Sequence, residues 1–386
     1  MSTLTNPHII AGDFNASLYS FLKQREAFVP RIYLDGKNVP TLGTGYALAV
    51  RDNATGLYAL RSAPELTQQM GEMGITLSND PQRSDDDMDI LQAAVDRLNG
   101  ISVAPGTPTI AHWNAGSPDP NNTPFSFGTI TETQFQPLFN LLVDDFTTKL
   151  IAKIGQPVFS ALAGSNEMVA LLSLTFNSPN LIGSKLIDAL QSGNRAEAWY
   201  EIRYQSNKER QTDPLLASGI ANRRYAESDR FGLYDNVALT PDEAKSVFRM
   251  YTIHRDAIHV YESDPLVAPG ATDTFASKSS DARNKLVDVY ASFAGAPTID
   301  GEVLVGADDL IPGDTLPGTT QNDLMFGEKG HDILKGEAGD DVLLGGEGTD
   351  QLTGGTGNDY LDGGVGYDTY VYRINDGQDT IRDSDG

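Results

Sequence analysis

The feature that most constrains this chain is a run of six nine-residue repeats near its C-terminal end. The repeats follow one another without a gap from Gly318 to Val371 and read GTTQNDLMF, GEKGHDILK, GEAGDDVLL, GGEGTDQLT, GGTGNDYLD and GGVGYDTYV. The sixth place is always aspartate, namely Asp323, Asp332, Asp341, Asp350, Asp359 and Asp368. The eighth place always holds Met, Leu or Tyr. So strict a period predicts one small structural unit that stacks on its neighbours.

The composition of the repeat suggests a cation site. Glycines allow a tight turn, and the large eighth residue is expected to face inward on a short strand. The aspartate carboxylate and the carbonyls of the turn are oxygen ligands of the kind that a hard cation prefers. A disordered Gly/Asp-rich linker is the alternative, and six strict repeats argue against it.

The repeats resemble the calcium-binding nonapeptide of RTX proteins. The resemblance implies a parallel β-roll over residues 300–386 in which several Ca²⁺ ions bridge neighbouring turns. The implied ligands are the six aspartates together with the backbone carbonyls of Gly330, Gly339, Gly348 and Gly357. Because the earliest repeats lack some of the glycines, the first sites are expected to be the weakest.

The charge of the chain is uneven. The 386 residues carry a net charge of −25, and from Gly301 onward there are 19 acidic and 4 basic residues, a net of −15. An acidic surplus of this size argues against nucleic acid as a partner. Without Ca²⁺ the carboxylates repel one another, so we expect the repeats to be disordered in calcium-poor cytoplasm and to fold after export. The sequence contains no run of 18 apolar residues, so we expect no transmembrane helix.

A second stretch, Arg25 to Tyr46, contains two acids and a hydroxyl at close spacing. It reads REAFVPRIYLDGKNVPTLGTGY and contains Glu26, Asp35 and Thr41. Leu18 and Leu22 precede Glu26 at helical spacing, so Glu26 is expected to extend an apolar helical stripe. A β-hairpin is expected to follow, with its turn at residues 35–38. Paired carboxyls across a cleft suit glycoside hydrolysis, whereas the alternative is a solvated helix-end Glu and a turn Asp.

This stretch resembles the active-site segment of the phage-type lysozymes, which are muramidases. The shared pattern is Glu26, Tyr33-Leu34-Asp35, Thr41 and Gly43-Thr44-Gly45. The resemblance implies that Glu26 is the general acid, that Asp35 and Thr41 position and activate water, and that no cofactor takes part in catalysis. Two departures concern the hairpin: Tyr46 stands where the family often has His, and Asn38 where it tends to have Gly.

The resemblance resumes beyond residue 128. The apolar segment Met168 to Asn177 is similar to the buried central helix of the family, and Gly219-Ile-Ala-Asn-Arg-Arg-Tyr-Ala-Glu227 is similar to a segment near the end of its domain. By position, Arg223 is expected beside Glu26, and pairing of Arg223 with Glu227 along the helix is the alternative. The residues that the resemblance implies for the substrate cleft are Tyr33, Gly43, Gly45, Tyr46, Asn177 and Arg223.

These observations predict an α+β protein with a mainly helical, lysozyme-like domain and a C-terminal β-roll. The expected divisions are an N-terminal tail at 1–14, a catalytic domain at 15–235 with an insertion at 47–127, a helical extension and linker at 236–299, and the calcium module at 300–386.

The expected function is hydrolysis of the β-1,4 bond between N-acetylmuramic acid and N-acetylglucosamine in peptidoglycan. The alternatives are a lytic transglycosylase, or a non-catalytic cell-wall-binding protein or adhesin on a lysozyme-like scaffold. A secreted, antibacterial protein acting in the periplasm or cell wall of target bacteria is expected, with peptidoglycan, a cognate immunity protein and a secretion machine as partners. Residues 1–15 lack the pattern of a cleaved signal peptide, so another export route is expected.

Overall fold

A computed structural model describes residues 4–25, 28–35, 37–52, 54–78, 86–105, 110, 129–206, 214–235, 237–264, 275–291, 298–307 and 313–383. The chain forms two compact units, one of residues 7–187 and one of residues 1–6 with 188–386. Helices and strands are mixed, and a parallel β-solenoid forms the C-terminal part, as expected for an α+β protein. The predicted boundaries at residues 235 and 299 stay predictions.

The unit of residues 7–187 begins with helix α1, Phe14–Lys23. Leu18 and Leu22 are buried, which confirms the apolar stripe. The expectation that the stripe continues on a helix to Glu26 is wrong, because α1 ends at Lys23. The Arg25 guanidinium donates a 2.8 Å hydrogen bond to the Phe21 carbonyl and so satisfies one of the last carbonyls of the helix. Glu26 itself lies outside the described residues.

The expected hairpin follows. Strands β1 (Val29–Leu34), β2 (Pro40–Gly43) and β3 (Tyr46–Ala47) form an antiparallel sheet, and β4 (Ala49–Arg51) pairs with β5 (Tyr58–Leu60). At the β1–β2 turn, Asp35 Oδ1 accepts the N–H groups of Lys37 and Val39, each at 2.8 Å. This is the side-chain bonding that favours aspartate in turns, and it fixes the register that pairs Tyr33 with Thr41.

The helices of this unit are α2 (Ala63–Glu72), α3 (Asp87–Leu98), α4 (Glu132–Ile154), α5 (Gln156–Leu162) and α6 (Asn166–Asn177), and α7 (Ser184–Ser192) crosses into the next unit. Helix α4 begins at a capping box between Thr131 and Gln134. Helix α6 is buried along most of its length, as expected for a central core helix. The sequence did not indicate α2 or the β4–β5 pair, which are short and carry few apolar residues.

The helices of the second unit are α8 (Arg195–Tyr200), continued by a π-helical turn at Glu201–Gln205, then α9 (Pro214–Phe231), α10 (Pro241–Ile253), α11 (Arg255–Glu262) and α12 (Phe275–Ala291). The Thr240 hydroxyl accepts the Glu243 N–H at 3.3 Å and so caps the start of α10. At the start of α12, the Glu262 carboxylate accepts the Phe275 N–H at 2.7 Å.

The repeats form a parallel solenoid. One sheet contains β6 (Val303–Val305), β8 (Leu324–Gly330), β10 (Val342–Gly348), β12 (Tyr360–Gly366) and β14 (Thr380–Arg382). The other contains β7 (Thr315–Pro317), β9 (Ile333–Ala338), β11 (Gln351–Thr356) and β13 (Thr369–Tyr370). Val342 aligns with Leu324 and Tyr360, so one coil is two repeats long. The eighth residues fill the space between the sheets, as predicted, with Met325, Leu334, Leu343 and Leu352 fully buried.

No helix in the described part of the chain is long and apolar enough to cross a bilayer.

Candidate functional site

The sixth-place aspartates form two columns, one at each edge of the solenoid. In each column, a carboxylate accepts the backbone N–H of the aspartate one coil earlier. Asp341 Oδ1 accepts the N–H of Asp323, and Asp359 Oδ1 accepts the N–H of Asp341, each at 2.8 Å. At the other edge, Asp350 Oδ1 accepts the N–H of Asp332 at 2.8 Å, and Asp368 Oδ1 accepts the N–H of Asp350 at 2.9 Å. One oxygen of each carboxylate therefore holds the coils together.

The second oxygen behaves differently. The Oδ2 atoms of Asp332, Asp341, Asp350, Asp359 and Asp368 are buried, and none of them has a hydrogen-bond partner among the described residues. A buried carboxylate oxygen without a partner costs free energy, so these atoms call for a ligand. Asp323 is the exception, because its Oδ2 accepts the Thr319 N–H at 2.6 Å and lies 3.1 Å from the Thr319 hydroxyl.

Glycines leave room beside these oxygens. A Cβ on Gly336, the first residue of its repeat, would lie 2.2 Å from Asp341 Oδ2, and one on Gly354 would lie 2.1 Å from Asp359 Oδ2. The implied carbonyl donors Gly330, Gly339, Gly348 and Gly357 sit in the turns at positive φ, two residues before an aspartate. Each turn thus brings a free carboxylate oxygen and a glycine carbonyl into the same short segment, and this donor set fits Ca²⁺.

Burial makes these carboxylates poor sites for negative charge when no cation is bound. Burial raises the pKa of Asp341 to about 7 and those of Asp350 and Asp359 to about 6, and neighbouring carboxylates add to each shift. The pKa of Asp332 is raised for the same reason. A divalent cation would remove both penalties by coordinating the oxygens and compensating their charge.

The columns extend beyond the six predicted repeats. The Asp314 N–H donates to Asp332 Oδ1 at 2.6 Å, and Asp379 Oδ1 accepts the Asp359 N–H at 3.1 Å. Asp314 could have been found from the sequence, because residues 309–317 read DLIPGDTLP and keep the sixth-place Asp and the eighth-place Leu316. Asp379 also keeps a fourth-place Gly377 and an eighth-place Ile381, but it lies 20 residues after Asp359 rather than 18, so the strict period does not reach it. Asp314 resembles Asp323, because its Oδ2 accepts the N–H of Ala307.

In the lysozyme-like stretch, Asp35 and Thr41 converge on the peptide groups of Val39. Asp35 donates its backbone N–H to the Val39 carbonyl at 3.0 Å, and its carboxylate accepts the Val39 N–H. The Thr41 hydroxyl donates to the same carbonyl at 2.9 Å, and Thr41 is only 2% exposed. The backbone of Tyr33 pairs with Thr41 across the hairpin. The hairpin therefore brings two of the three predicted catalytic residues together, while Glu26 lies outside the described residues.

The predicted cleft residues of this unit differ in exposure. Gly43 is buried, and a Cβ there would lie 2.3 Å from the Phe135 ring on α4. Tyr46 is also buried, its hydroxyl bonds to Gln69, and burial raises its pKa to about 12. Gly45 and Asn177 are exposed, and a Cβ on Gly45 would lie 3.0 Å from Phe176, the residue before Asn177. Of these four residues, Gly45 and Asn177 are the accessible ones.

Arg223 belongs to the unit that contains the repeats. Its Nε donates to Glu227 Oε1 at 3.2 Å, and Arg224 approaches the other oxygen of Glu227 at 3.1 Å. The carboxylate between them is fully buried. The pairing along the helix that the sequence left open is therefore present, and a role for Arg223 beside Glu26 stays a prediction.

Comparison with known families assigns the repeats. A family model for the RTX calcium-binding nonapeptide repeat, which spans four copies, matches residues 317–352 and 336–370. The C-terminal coils are an RTX array. RTX repeats bind calcium and are typical of secreted proteins, which supports Ca²⁺ as the ligand of this array. A comparison with curated proteins finds no significant match to the chain.

Proposed function

We propose that this chain is a secreted muramidase whose RTX array folds on calcium after export. The observation that carries the proposal is the convergence of Asp35 and Thr41 on Val39 in a hairpin that follows helix α1. The spacing of Glu26, Asp35 and Thr41 in the sequence supports the same activity. The substrate is peptidoglycan, and the bond cleaved is the β-1,4 link between N-acetylmuramic acid and N-acetylglucosamine.

The hydrogen bonds of the hairpin suit the activation of water. Asp35 Oδ1 already accepts two backbone N–H groups, while Oδ2 accepts no hydrogen bond from the described residues. Because the Thr41 hydroxyl donates its proton to Val39, the lone pairs of its oxygen face away as acceptors. A water that donates one proton to Asp35 Oδ2 and the other to Thr41 Oγ1 would be oriented for attack.

Glu26 completes the reaction as the general acid. It protonates the glycosidic oxygen as the bond to the anomeric carbon breaks, and the water attacks that carbon from the opposite face. Asp35 takes the proton that the attacking water releases, so atoms and charge balance. The expected outcome is inversion, as the resemblance to phage-type lysozymes implies.

The RTX array supports a site of action outside the producing cell. Calcium is scarce in cytoplasm and abundant outside, so the array would fold after export. The proposed site of action is the periplasm or cell wall of target bacteria. An antibacterial role would require a secretion machine and a cognate immunity protein as partners.

The decisive experiment is digestion of purified peptidoglycan by the wild type and by Glu26→Gln, with and without Ca²⁺. We expect Glu26→Gln to lower the rate by about 10²–10⁴-fold, the usual contribution of a general acid. Glu72→Gln is a matched control, because Glu72 is an exposed glutamate at the end of α2.

Mass spectrometry of the products separates the alternatives. Muropeptides with reducing ends establish a muramidase, whereas 1,6-anhydro ends would establish a lytic transglycosylase. Full activity of Glu26→Gln would remove Glu26 from its role. An absence of products in both calcium states would favour a cell-wall-binding protein.

A further inference from the structure

The outer faces of the two RTX sheets differ. Residues seven and nine of each repeat point outward, because residue eight points into the solenoid. On the sheet that contains β8, β10 and β12 these outward pairs are Leu324/Phe326, Val342/Leu344 and Tyr360/Asp362. On the other sheet they are Ile333/Lys335, Gln351/Thr353 and Thr369/Val371. The first sheet therefore has an apolar outer face, and the second a mostly polar one.

Helices α10 and α12 cover the apolar face. Leu324, Phe326 and Val342 form one buried cluster with Ala244 of α10 and Leu286 of α12. The ring of Tyr290, also on α12, meets Phe326 edge-on with centroids 4.8 Å apart. Arg283 of α12 donates a 2.7 Å hydrogen bond to the Gly301 carbonyl, beside β6. The helical extension and the calcium array thus share one hydrophobic core.

One departure from the repeat pattern lies in this interface. Glu328 occupies the second place of its repeat, where three later repeats have glycine, and it adopts φ +78°. Its carboxylate pairs with Lys245 of α10 at 2.8 Å, and the Lys245 ammonium lies 5.5 Å from the centre of the Phe326 ring. A side chain at a position that favours glycine thus joins α10 to the array.

The contacts continue away from the array to a buried tryptophan. The ring of Trp199 in α8 lies 6.2 Å from that of Tyr251 in α10, and the Lys278 ammonium of α12 lies 5.6 Å from its centre. His254, which ends α10, stacks on Tyr200 at 3.6 Å and bonds to Glu197 at 2.9 Å. Any loss of order in α10 or α12 would therefore change the surroundings of Trp199.

We propose that calcium binding to the RTX array controls the folding of α10 and α12, and through them the packing around Trp199. Val342 and Tyr360 directly follow Asp341 and Asp359, whose Oδ2 atoms have no partner among the described residues, so a cation held by these aspartates fixes residues on the sheet that faces the helices. Without calcium the repelling carboxylates open the coils, and the apolar face no longer exists.

The helices depend on that face. Helix α10 has 13 residues and α12 has 17, and isolated helices of this length are marginal in water. Their buried residues Ala244 and Leu286 would be exposed to solvent if the array unfolded. Calcium therefore acts on folded structure well outside the segment that binds it.

The test uses the full chain and two signals that do not depend on enzyme activity. Trp113→Phe leaves Trp199 as the single tryptophan, since the sequence has two. Removing Ca²⁺ with EGTA should shift the emission of Trp199 to longer wavelength. Hydrogen exchange of residues 241–253 and 275–291 should become at least about tenfold faster, because local opening sets the exchange rate.

Two variants separate coupling from folding of the array itself. Phe326→Ala and, from the helix side, Tyr290→Ala should keep calcium-dependent protection of the repeats but weaken that of α10 and α12. Ile333→Ala is the matched control, since it removes an outward residue from the other sheet and should leave both responses unchanged. If Phe326→Ala also unfolds the repeats, the test of coupling depends on Tyr290→Ala alone, because Tyr290 lies on α12 and outside the repeats. Equal protection of α10 and α12 with and without Ca²⁺, while the repeats respond, would overturn the proposal.

Discussion

The RTX array and the hairpin of strands β1 and β2 are organised in opposite ways. In the array, one nine-residue unit recurs, and five of the six sixth-place aspartates accept the backbone N–H of the aspartate one coil earlier. In the hairpin, Asp35 and Thr41 each occur once, and they meet because the β1–β2 register brings them to Val39. Because the unit repeats, the cation site of the array can be recognised from the sequence. The proposed catalytic site depends on a single tertiary arrangement, which the sequence does not repeat.

The two regions also differ in how completely the protein satisfies its own polar groups. Five aspartates of the array keep a buried Oδ2 with no partner among the described residues. In the hairpin, backbone groups hold Asp35 Oδ1 and the Thr41 hydroxyl, and Asp35 Oδ2, which also accepts no hydrogen bond from the described residues, belongs to a half-buried side chain that water can reach. The array therefore needs its ligand in order to be stable, while the hairpin is organised before any ligand binds. Four measurements would break or sharpen this contrast.

The largest effect is expected from removing the hydroxyl of Thr41. Thr41→Val keeps the shape but leaves no oxygen to accept a water proton, so peptidoglycan hydrolysis should fall about a hundredfold. Thr41→Ser keeps the hydroxyl and should retain most of the activity. Circular dichroism of both variants should match the wild type in its unfolding midpoint to within a few degrees, about what a change of 1 kcal/mol produces. Equal activity of Val and Ser at this position would contradict the proposed role.

Two aspartates of the same column should respond unequally to loss of charge. Asp341 Oδ2 has no partner among the described residues, whereas Asp323 Oδ2 is held by Thr319. Asp341→Asn should raise the calcium concentration at the folding midpoint about tenfold, since the charge of the ligand set tunes affinity. Asp323→Asn should change it by less than about twofold on the same reasoning. Calcium titrations followed by circular dichroism measure both, and equal shifts would mean that every repeat binds alike.

The sequence predicted the array well because its rules are local. The sixth-place aspartates, the inward eighth residues and the parallel coils depend only on neighbours one or two repeats away. The sequence analysis missed Asp314 and Asp379, because the glycine that opens each of the six repeats is replaced by Asp309 in the first case and by Ile374 in the second. It also missed the covered outer face, which depends on alternate repeats and so has a period of eighteen rather than nine residues.

The hairpin could be predicted only in part. The turn-forming Asp35 correctly predicted the β1–β2 hairpin, and the apolar stripe of Leu18 and Leu22 correctly predicted α1. The end of that helix was not predictable from periodicity, because it depends on how Arg25 bonds to the Phe21 carbonyl. Likewise, the burial of Tyr46 comes from contacts with Gln69 and Arg61. Both residues lie in the predicted insertion at 47–127, for which the sequence analysis made no structural prediction.

Acid should partly replace calcium in stabilising the array. In the calcium-free fold the pKa of Asp341 is raised to about 7 and those of Asp350 and Asp359 to about 6, above the ordinary aspartate value. A raised folded-state pKa contributes stability that is fully present below the unfolded value and is lost as pH rises through 6 to 7. The calcium-free array should therefore be more ordered at pH 5 than at pH 8.

Calcium affinity should show the opposite trend. Protons and Ca²⁺ compete for the same carboxylates, so the calcium midpoint should rise by several-fold between pH 8 and pH 5. Circular dichroism at four pH values, with EGTA and with calcium titrated in, measures both trends. The unfolding of the unit of residues 7–187, which contains the hairpin, should follow neither the pH trend nor the calcium trend. A calcium midpoint that does not change with pH would show that the aspartates stay ionised when no calcium is bound.

The smallest effect concerns the second place of the third repeat. Glu337 is exposed and adopts φ +75°, while Gly346, Gly355 and Gly364 occupy the second place in the later repeats at φ values of 113°, 110° and 93°. Glu337→Gly removes the strain of a side chain in this region but adds entropy to the unfolded chain, so the calcium-bound array should gain only about 0.5 kcal/mol. The same change at Glu328 should gain nothing, because it also removes the pairing with Lys245. Denaturant unfolding in calcium compares the two variants, and a larger gain at Glu328 would mean that the bond to α10 contributes little to holding the array against the helices.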